Sequence, residues 1–428
     1  MTARLFFSEN LRTMHLYRIW NQLRESRTLP QVDRWLAQVF RGEKRFGKKD
    51  RQWYADAVFA ALRLGPLAVL AEADAAAGAA AASPAAAPAG AGDWNELREL
   101  PTERLFFWLS VERQDPLDER FPDEKQRIEV LKQAQTLASW GIPAFYAPML
   151  ERRTTMSGWS PDERQAFLAA QNAKAPLWLR VNQPTRIEFA RRELKEQGIT
   201  WVEDGPAWKL DQARNLQNLA CIEQGVLEVQ DYASQMIGAA VPFVKDALVW
   251  DCCAGGGGKT LQMASRMQGR GLVFASDIRS YKLEEVKRRA ERADLSRVRT
   301  LPWNGESLPA FPSEWQKNVG VDVILIDAPC TGTGTWRRSP DSKYRCEPSE
   351  LKTLQDLQIS LFQKVLPALK KGGSLVYATC SWLPEENEDV VAAALQAHPD
   401  LRLEIQQLCG NPAADADTMF YAVLRKLS

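Results

Sequence analysis

The second half of the chain alternates short apolar runs with amphipathic segments, and this alternation limits the fold more than any other feature. From Ala247 onward we predict strands at "ALVWD", "GLVFASD", "RVRTLPW", "VDVILID" and "GSLVYATC". Between and after them we predict helices at Thr260–Met267, Tyr281–Ala293, Ser349–Leu369 and Glu386–Ala397. Apolar strands that alternate with helices predict a parallel sheet covered on both faces. Two late runs, "LRLEIQQL" and "TMFYAVLRK", are expected to close this sheet.

The first part of the chain shows a helical pattern of apolar residues instead of this alternation. Residues 1–160 carry apolar residues at three-to-four spacing, as in "LPQVDRWLAQVF" and "TERLFFWLSVER", and little strand signal. We therefore predict a helical domain over 1–160, with a flexible alanine-rich insertion at about 73–93. A small α/β subdomain is predicted over 175–235, and the alternating domain over 236–428.

Charge is distributed unevenly along the chain. The formal net charge is only +1, but up to Arg51 there are twelve Lys and Arg residues against five acids. Within this region "RGEKRFGKKDRQW" places cations beside Phe46 and Trp53. A basic run with interleaved aromatic residues suits the phosphate backbone of a nucleic acid, and a solvated helix face fits the same letters.

Cysteine and histidine usage excludes several classes of protein. Seven cysteines without regular spacing argue against a disulfide scaffold and for a reducing compartment. The chain has two histidines and no Cys-x-x-Cys motif, so neither a zinc site nor a Ser-His or Cys-His pair is supported. The N-terminus lacks the pattern of a signal peptide, and the alanine-rich run is too weakly hydrophobic to span a membrane. We expect a cytoplasmic protein without a metal or a membrane partner.

Polar side chains lie where the predicted strands end. Asp251, Asp277 and Asp327 each close a strand, and Cys380 closes a fourth. Cys330 follows Asp327 in "DAPCTGTG". Parallel α/β sheets bind ligands outside the carboxyl ends of their strands, so these residues are candidates for one site. For Cys330 alone, the filling of a small apolar hole remains an alternative.

The segment "DCCAGGGGKT" follows the first predicted strand and opens a helix. It satisfies neither the P-loop pattern nor the dinucleotide fingerprint. Glycines still allow close approach of a ligand to the backbone, and a helix start offers free N–H groups. With Asp277 at the end of the next strand, placed to hold ribose hydroxyls, the loop indicates a nucleoside-bearing cofactor.

Together these motifs resemble the Fmu/Sun-like (Nop/Sun) family of RNA 5-methylcytosine methyltransferases. The resemblance covers about 175–428 and rests on "PLWLRVN", "VQDYASQM", "DCCAGGGGKT", "SDI", "DAPCTGTGTWRRSPD", "YATCSWLPEENEDVV" and "FYAVLRK". It implies an α/β fold: a Rossmann-like class I methyltransferase sheet, preceded by an all-helical domain and a small α/β subdomain. This chain has Gly256 where the family usually has proline.

The resemblance also implies the roles of individual residues. It gives S-adenosyl-L-methionine as cofactor and RNA, which we expect to be ribosomal, as partner of a monomeric enzyme. Cys380 is the implied nucleophile and Cys330 the implied release cysteine, with Asp327 and Lys259 at the base. The implied cofactor-binding residues are Cys253, Ala254, Gly255, Gly256, Gly257, Gly258, Lys259, Asp277, Asn304 and Asp327.

Local sequence supports Cys380 as nucleophile, because Pro384, Glu385 and Glu386 predict a helix start just after it. A cysteine before a helix N-terminus gains thiolate character, although these residues could simply cap a helix. The segment "TWRRSPD" supplies Trp336, Arg337 and Arg338 beside the catalytic loop, where the arginines could bind RNA phosphates or form a salt-bridged surface loop. The alternative functions are a tRNA or DNA cytosine-5 methyltransferase and a non-catalytic RNA-binding ribosome assembly factor.

Overall fold

The computed structural model describes residues 11–77, 92–112, 121–211, 216, 218–242, 245–309, 311, 320–346 and 348–427. The chain divides into two compact units. The first contains Met1–Lys174 together with Thr335–Glu347, and the second contains Ala175–Gly334 together with Pro348–Ser428. This division differs from the predicted three domains: the small subdomain belongs to the same unit as the sheet, and a short late segment belongs to the first unit.

The first unit is helical. Its described α-helices are Leu11–Arg24, Val32–Gly42, Lys48–Ala77, Trp94–Glu99, Thr102–Glu112, Pro122–Gln133, Ala147–Ser157 and Pro161–Asn172. Local sequence explains several starts: Ser160 and Glu163 form a capping box, and the Asp93 side chain accepts from the N–H of Glu96. The core is rich in aromatic residues, among them Trp20, Tyr54 and Trp108.

The segment Thr335–Glu347 contributes buried side chains to this helical unit. Trp336 and Lys343 are both fully buried. The Nζ of Lys343 donates to the Gly141 carbonyl (3.0 Å) and to Oδ1 of Asn172 (2.9 Å). Burial holds the pKa of Lys343 well below its ordinary range. Arg337 is buried as well, which argues against the phosphate contact expected of its side chain.

Part of the alanine-rich insertion is helical. Residues 73–77 form the last turns of the helix Lys48–Ala77, and 78–91 lie outside the described residues. This helix is also long and apolar enough to cross a membrane by length and composition. Its buried residues, including Tyr54, Val58 and Leu62, belong to the core of the helical unit, which is the ordinary reason for such a composition.

The second unit begins with a small antiparallel sheet. Strands β1 (Leu177–Val181), β2 (Trp201–Asp204), β3 (Ala207–Leu210) and β4 (Leu227–Val229) are arranged in the order β2-β3-β1-β4. The α-helices of this part are Ile187–Glu196, Ala220–Glu223 and Tyr232–Ala240. Leu179, Leu194 and Trp208 are fully buried in its core.

The main sheet has the order β10-β11-β9-β8-β5-β6-β7 among the described residues. Its strands are β5 (Leu248–Asp251), β6 (Leu272–Asp277), β7 (Val298–Pro302), β8 (Val321–Asp327), β9 (Leu369–Thr379), β10 (Leu401–Gly410) and β11 (Thr418–Lys426). Strands β5 to β9 pair in parallel, as predicted, whereas β11 pairs antiparallel with β9 and with β10. The chain order reverses between β5 and β8, which places a ligand crevice at their carboxyl ends.

Alternating side chains of the strands bury both faces of the sheet. Trp250, Ile324 and Tyr377 face one apolar cluster, whereas Val249 and Val323 face the other. The covering helices are Gly258–Arg266, Ser280–Arg292, Pro348–Val365 and Glu388–Ala397. Burial on both faces accounts for the near-continuous apolar runs of the sequence.

Two predicted helices have different ends in the structure. The helix predicted to reach Leu369 stops at Val365, because Pro367 cannot donate to a helix and restricts the residue before it. The helix predicted from Glu386 begins at Glu388, after a single 3₁₀ turn over Pro384–Glu386.

Candidate active site

The two cysteines of the predicted site lie side by side. Cys330 follows β8 and Cys380 follows the neighbouring parallel strand β9, and their Sγ atoms are 3.3 Å apart. The strand ladder continues to this point, since the N–H of Ala328 donates to the Ala378 carbonyl (2.8 Å). The hydrogen bond with Cys380, together with burial, raises the pKa of the Cys330 thiol well above its ordinary value.

Gly334 fixes the loop that follows Cys330. Its N–H donates to the Cys380 carbonyl (2.9 Å), and a Cβ atom at this position would lie 1.6 Å from the Thr418 carbonyl oxygen. Any side chain would therefore push the Cys330 loop away from β9 and β11. The second glycine of "CTGTG" has this steric reason.

Lys259 and Asp327 form an ion pair beside the thiols. The Nζ of Lys259 donates to Oδ2 of Asp327 at 2.7 Å, and the lysine is 8 % exposed. Burial acts to lower the pKa of Lys259, but the charge and hydrogen bond of Asp327 outweigh it and raise the pKa, with a smaller contribution from Cys380. Lys259 is therefore a buried cation near the Cys380 sulfur.

A network of hydroxyl and amide groups that the sequence did not reveal holds the Cys380 segment. The Thr333 and Ser381 hydroxyls are 2.9 Å apart, and Thr379 donates to Oδ1 of Asn387 at 2.5 Å. The side-chain amide of Asn387 donates in turn to the Ser381 carbonyl (2.9 Å). These groups are fully buried and fix the backbone on both sides of Cys380.

The expected helix N-terminus does not lie at Cys380. The α-helix begins eight residues later, at Glu388, so its first turn does not lie next to the thiol. Glu386 does not cap the helix either: it is completely buried, and burial raises its pKa.

The glycine loop turns tightly between β5 and the helix Gly258–Arg266. Gly255 and Gly257 have positive φ angles (54° and 85°), and a Cβ atom on Gly257 would come within 2.8 Å of Val286. The N–H of Ala254 donates to the Ser276 carbonyl (2.9 Å), which ties the loop to β6. Cys253 is half-buried in the same loop.

Asp277 binds the glycine loop at the end of β6. Its carboxylate accepts from the Gly255 N–H (2.9 Å) and from the Arg279 backbone and guanidinium. Burial acts to raise the pKa of Asp277, but these hydrogen bonds lower it below its ordinary value. Asn304 is exposed after β7, where its side-chain oxygen accepts from the Glu306 N–H (3.1 Å).

Asp251, one of the strand-end candidates of the sequence, is a buried carboxyl. It ends β5 and accepts from the Thr260 hydroxyl at 2.6 Å. Its other oxygen, Oδ1, is buried and has no hydrogen-bond partner among the described residues. A cofactor with an ammonium and a sulfonium charge fits an edge that carries Asp251, Asp277 and Asp327, because each carboxylate favours a nearby cation.

Comparison with known proteins places the chain in a family. The sequence model described as "16S rRNA methyltransferase RsmB/F" matches residues 240–424. The ribosomal RNA small subunit methyltransferase B of Yersinia pestis bv. Antiqua (strain Angola) is 34% identical over 316 residues, which are 71% of each chain. The Proteus mirabilis (strain HI4320) protein of the same name is 33% identical over 273 residues, 62% of this chain and 63% of its own. For the Proteus mirabilis relative, the chain thus spans less than two thirds of the relative's own length.

Solved structures share the fold. A structure titled "Crystal Structure of PH0851" superposes with a TM-score of 0.67 at 20% identity and covers 96% of this chain and 98% of its own. A methyltransferase homologue from Pyrococcus horikoshii has a TM-score of 0.53 at 25% identity and covers 65% of this chain and 99% of its own. The class I methyltransferase fold predicted from the sequence is confirmed, and the chain belongs to the RsmB/F family of 16S rRNA methyltransferases.

Proposed function

We propose that this protein transfers a methyl group from S-adenosyl-L-methionine to carbon 5 of a cytosine in RNA, through a covalent adduct with Cys380. The RNA is ribosomal RNA of the small subunit, and the reaction takes place in the bacterial cytoplasm. The observation that carries the proposal is the pair of strand-end thiols, Cys330 and Cys380, at 3.3 Å beside the Lys259–Asp327 ion pair. The names of the relatives support the substrate class.

Carbon 5 of cytosine is a poor nucleophile, and a thiol can activate it. Cys380 adds as a thiolate to carbon 6, and the electron pair of the 5,6 double bond moves to carbon 5. Bound S-adenosyl-L-methionine supplies the electrophilic methyl group. One difficult step is thereby divided into two easier ones. Lys259 stabilises the thiolate by its charge, and Asp327 accepts from the amino edge of the base.

Release requires that the proton on carbon 5 leave. A base removes this proton, the electron pair re-forms the double bond, and the sulfur of Cys380 departs as a thiolate. Cys330, whose Sγ lies 3.3 Å from that sulfur, assists the departure by donating its thiol hydrogen to it. The target base must also leave its stack, which costs a few kcal/mol and favours loops and unpaired strands.

The two cysteine variants should fail in different ways. Cys380→Ala cannot form the carbon-6 bond, so it should be inactive and give no covalent complex. Cys330→Ala can attack and methylate, but release stalls, so it should trap a protein–RNA adduct that survives denaturing electrophoresis and disappears in the double variant. Cys346→Ala, an unrelated half-buried thiol, is the control and should behave as the wild type.

Other outcomes distinguish the alternatives. An adduct in Cys380→Ala would assign the nucleophile to Cys330, as in DNA cytosine-5 methyltransferases. No adduct in any variant, together with no binding of S-adenosyl-L-methionine in calorimetry, would indicate a non-catalytic RNA-binding factor. Bisulfite sequencing of RNA from a deletion strain identifies the RNA and the cytosine.

A further inference from the structure

Glu386 is a buried carboxylic acid to which the catalytic scheme gives no role. Its residue exposure is 0 %, although it lies in a short 3₁₀ turn only six residues after Cys380. Acids are rarely buried unless their oxygens are satisfied by donors. The partners of this carboxylate therefore indicate what it does.

Those partners lie on the loop of the other cysteine. The carboxylate of Glu386 accepts from the backbone N–H of Thr331 (2.8 Å) and from its hydroxyl (2.5 Å). Thr331 is the residue next to Cys330. The side chain of Gln358, from the helix Pro348–Val365, donates a third hydrogen bond at 3.0 Å.

Glu386 is itself held firmly on the Cys380 side. Its backbone carbonyl accepts from the Tyr377 hydroxyl (2.5 Å), and Tyr377 is a fully buried residue of β9. The following residue, Asn387, binds Thr379 and Ser381 on either side of Cys380. One side chain thus joins the backbone that carries Cys330 to the backbone that carries Cys380.

The charge of Glu386 also reaches the Cys330 thiol. Besides the hydrogen bond with Cys380 and burial, the negative charge of Glu386 contributes to raising the pKa of Cys330. A turn that served only to connect β9 to the next helix would need no acid facing the neighbouring loop. The carboxylate satisfies the donors of Thr331 and fixes where the Cys330 loop lies.

We infer that Glu386 is a positioning residue for the release step: it holds Thr331, and through it Cys330, at the distance from Cys380 that elimination requires. The inference rests on the proposed function, since it needs a covalent adduct to be released. Methyl transfer depends on Cys380 and the cofactor site and is affected less.

The test separates methyl transfer from release. In single turnover with radiolabelled cofactor and RNA, Glu386→Ala should transfer methyl at close to the wild-type rate but release the product more slowly by about tenfold or more, the effect of losing hydrogen bonds to a buried charge. The slow step should appear as an adduct on a denaturing gel. Glu386→Gln keeps an oxygen that can accept from the Thr331 N–H, so it should restore most of the release rate.

Controls keep the result specific. Glu388→Ala removes a half-buried acid at the start of the next helix and should release as the wild type does. If Glu386→Ala does not fold, Thr331→Val removes the hydroxyl donor from the other end of the same contact and should also accumulate the adduct. Wild-type release in Thr331→Val and Glu386→Ala would overturn the inference, and so would an equal loss of transfer and release.

The Cys330→Ala variant on the same gel distinguishes the two hypotheses. If it traps an adduct and the Glu386 and Thr331 variants do not, the proposed function stands and the positioning role is wrong. If Cys330→Ala traps nothing, the proposed release chemistry itself fails, and the inference fails with it.

Discussion

Asp251 shows how strongly burial can raise the pKa of a single carboxyl group. It is 1 % exposed, and burial raises its pKa from 3.8 to about 7. An acid whose pKa is raised by folding stabilises the folded chain below its unfolded pKa and loses that contribution as the pH rises through the folded value. The contribution of Asp251 to stability should therefore fall between about pH 4 and pH 7.

Asp251→Asn cannot ionise, and this predicts the sign of its effect. Relative to the wild type, the variant should gain unfolding free energy as the pH rises through that window, by up to about 1.4 kcal/mol per pH unit. Urea titrations of the cofactor-free protein at several pH values measure the difference. Asp356→Asn, at an exposed position on a helix, should show no such trend, and parallel curves for Asp251→Asn would contradict the assignment.

The ends of strands were the predictable part of the site. Cys330, Cys380 and Asp327 follow apolar runs, and Lys259 follows a glycine loop, so the sequence could bring them to one edge of a parallel sheet. Glu386 was not predictable in its position, because its role depends on Thr331, 55 residues away in the chain. The local helix signal at Pro384 predicted that Glu386 caps a helix. In the structure its carboxylate instead accepts hydrogen bonds from Thr331 and Gln358, which are distant in the chain.

At the scale of elements, two arginines brace the glycine loop from outside. Arg180 in β1 donates to the Gly258 carbonyl (2.7 Å), and Arg289 in the helix Ser280–Arg292 donates to the Gly256 carbonyl. Buried Glu228 in β4 accepts from Arg289 (3.1 Å). The loop has four consecutive glycines at 255–258, and side chains of neighbouring elements restrain a backbone that glycine leaves free.

Loss of this brace should affect both stability and cofactor binding. Arg180 is 2 % exposed, and burial lowers its pKa to about 9. Arg180→Met leaves buried acceptors unsatisfied, so we expect a loss of about 3 kcal/mol in stability and a weaker affinity for S-adenosyl-L-methionine in calorimetry. Arg186→Met removes a less buried arginine of the same subdomain and serves as control. Unchanged cofactor affinity in a folded Arg180→Met protein would show that the loop does not need the brace.

At the scale of the whole molecule, RNA binding should depend on the helical unit. Phe46, expected from its sequence context to face RNA, is buried in the core, and Trp53 is 40% exposed. Glu43 forms ion pairs with Arg18 and Arg45, and Asp50 forms one with Arg12. Lys44, Lys48 and Lys49 are exposed on the same stretch of chain and are the better candidates for phosphate contacts.

Replacing these three lysines by alanine should weaken RNA binding and its dependence on salt together. Each lost contact with a single strand should reduce the slope of log affinity against log salt by about 0.7. Affinity titrations over a range of salt concentrations measure the slope. The Lys→Arg triple variant keeps the charges and should keep the slope; an unchanged slope in the alanine variant would show that the lysines do not contact RNA.

The late segment of the helical unit has a consequence for how the protein is made. Trp336 and Lys343 are buried side chains of this unit, yet a ribosome reaches them only after it has synthesised β1 to β8. At about 5–20 residues per second this delay is roughly 10–30 seconds, during which the first-made helices cannot close around their last side chains. The helices that are made first therefore wait until most of the chain has been synthesised before their unit has all of its buried side chains.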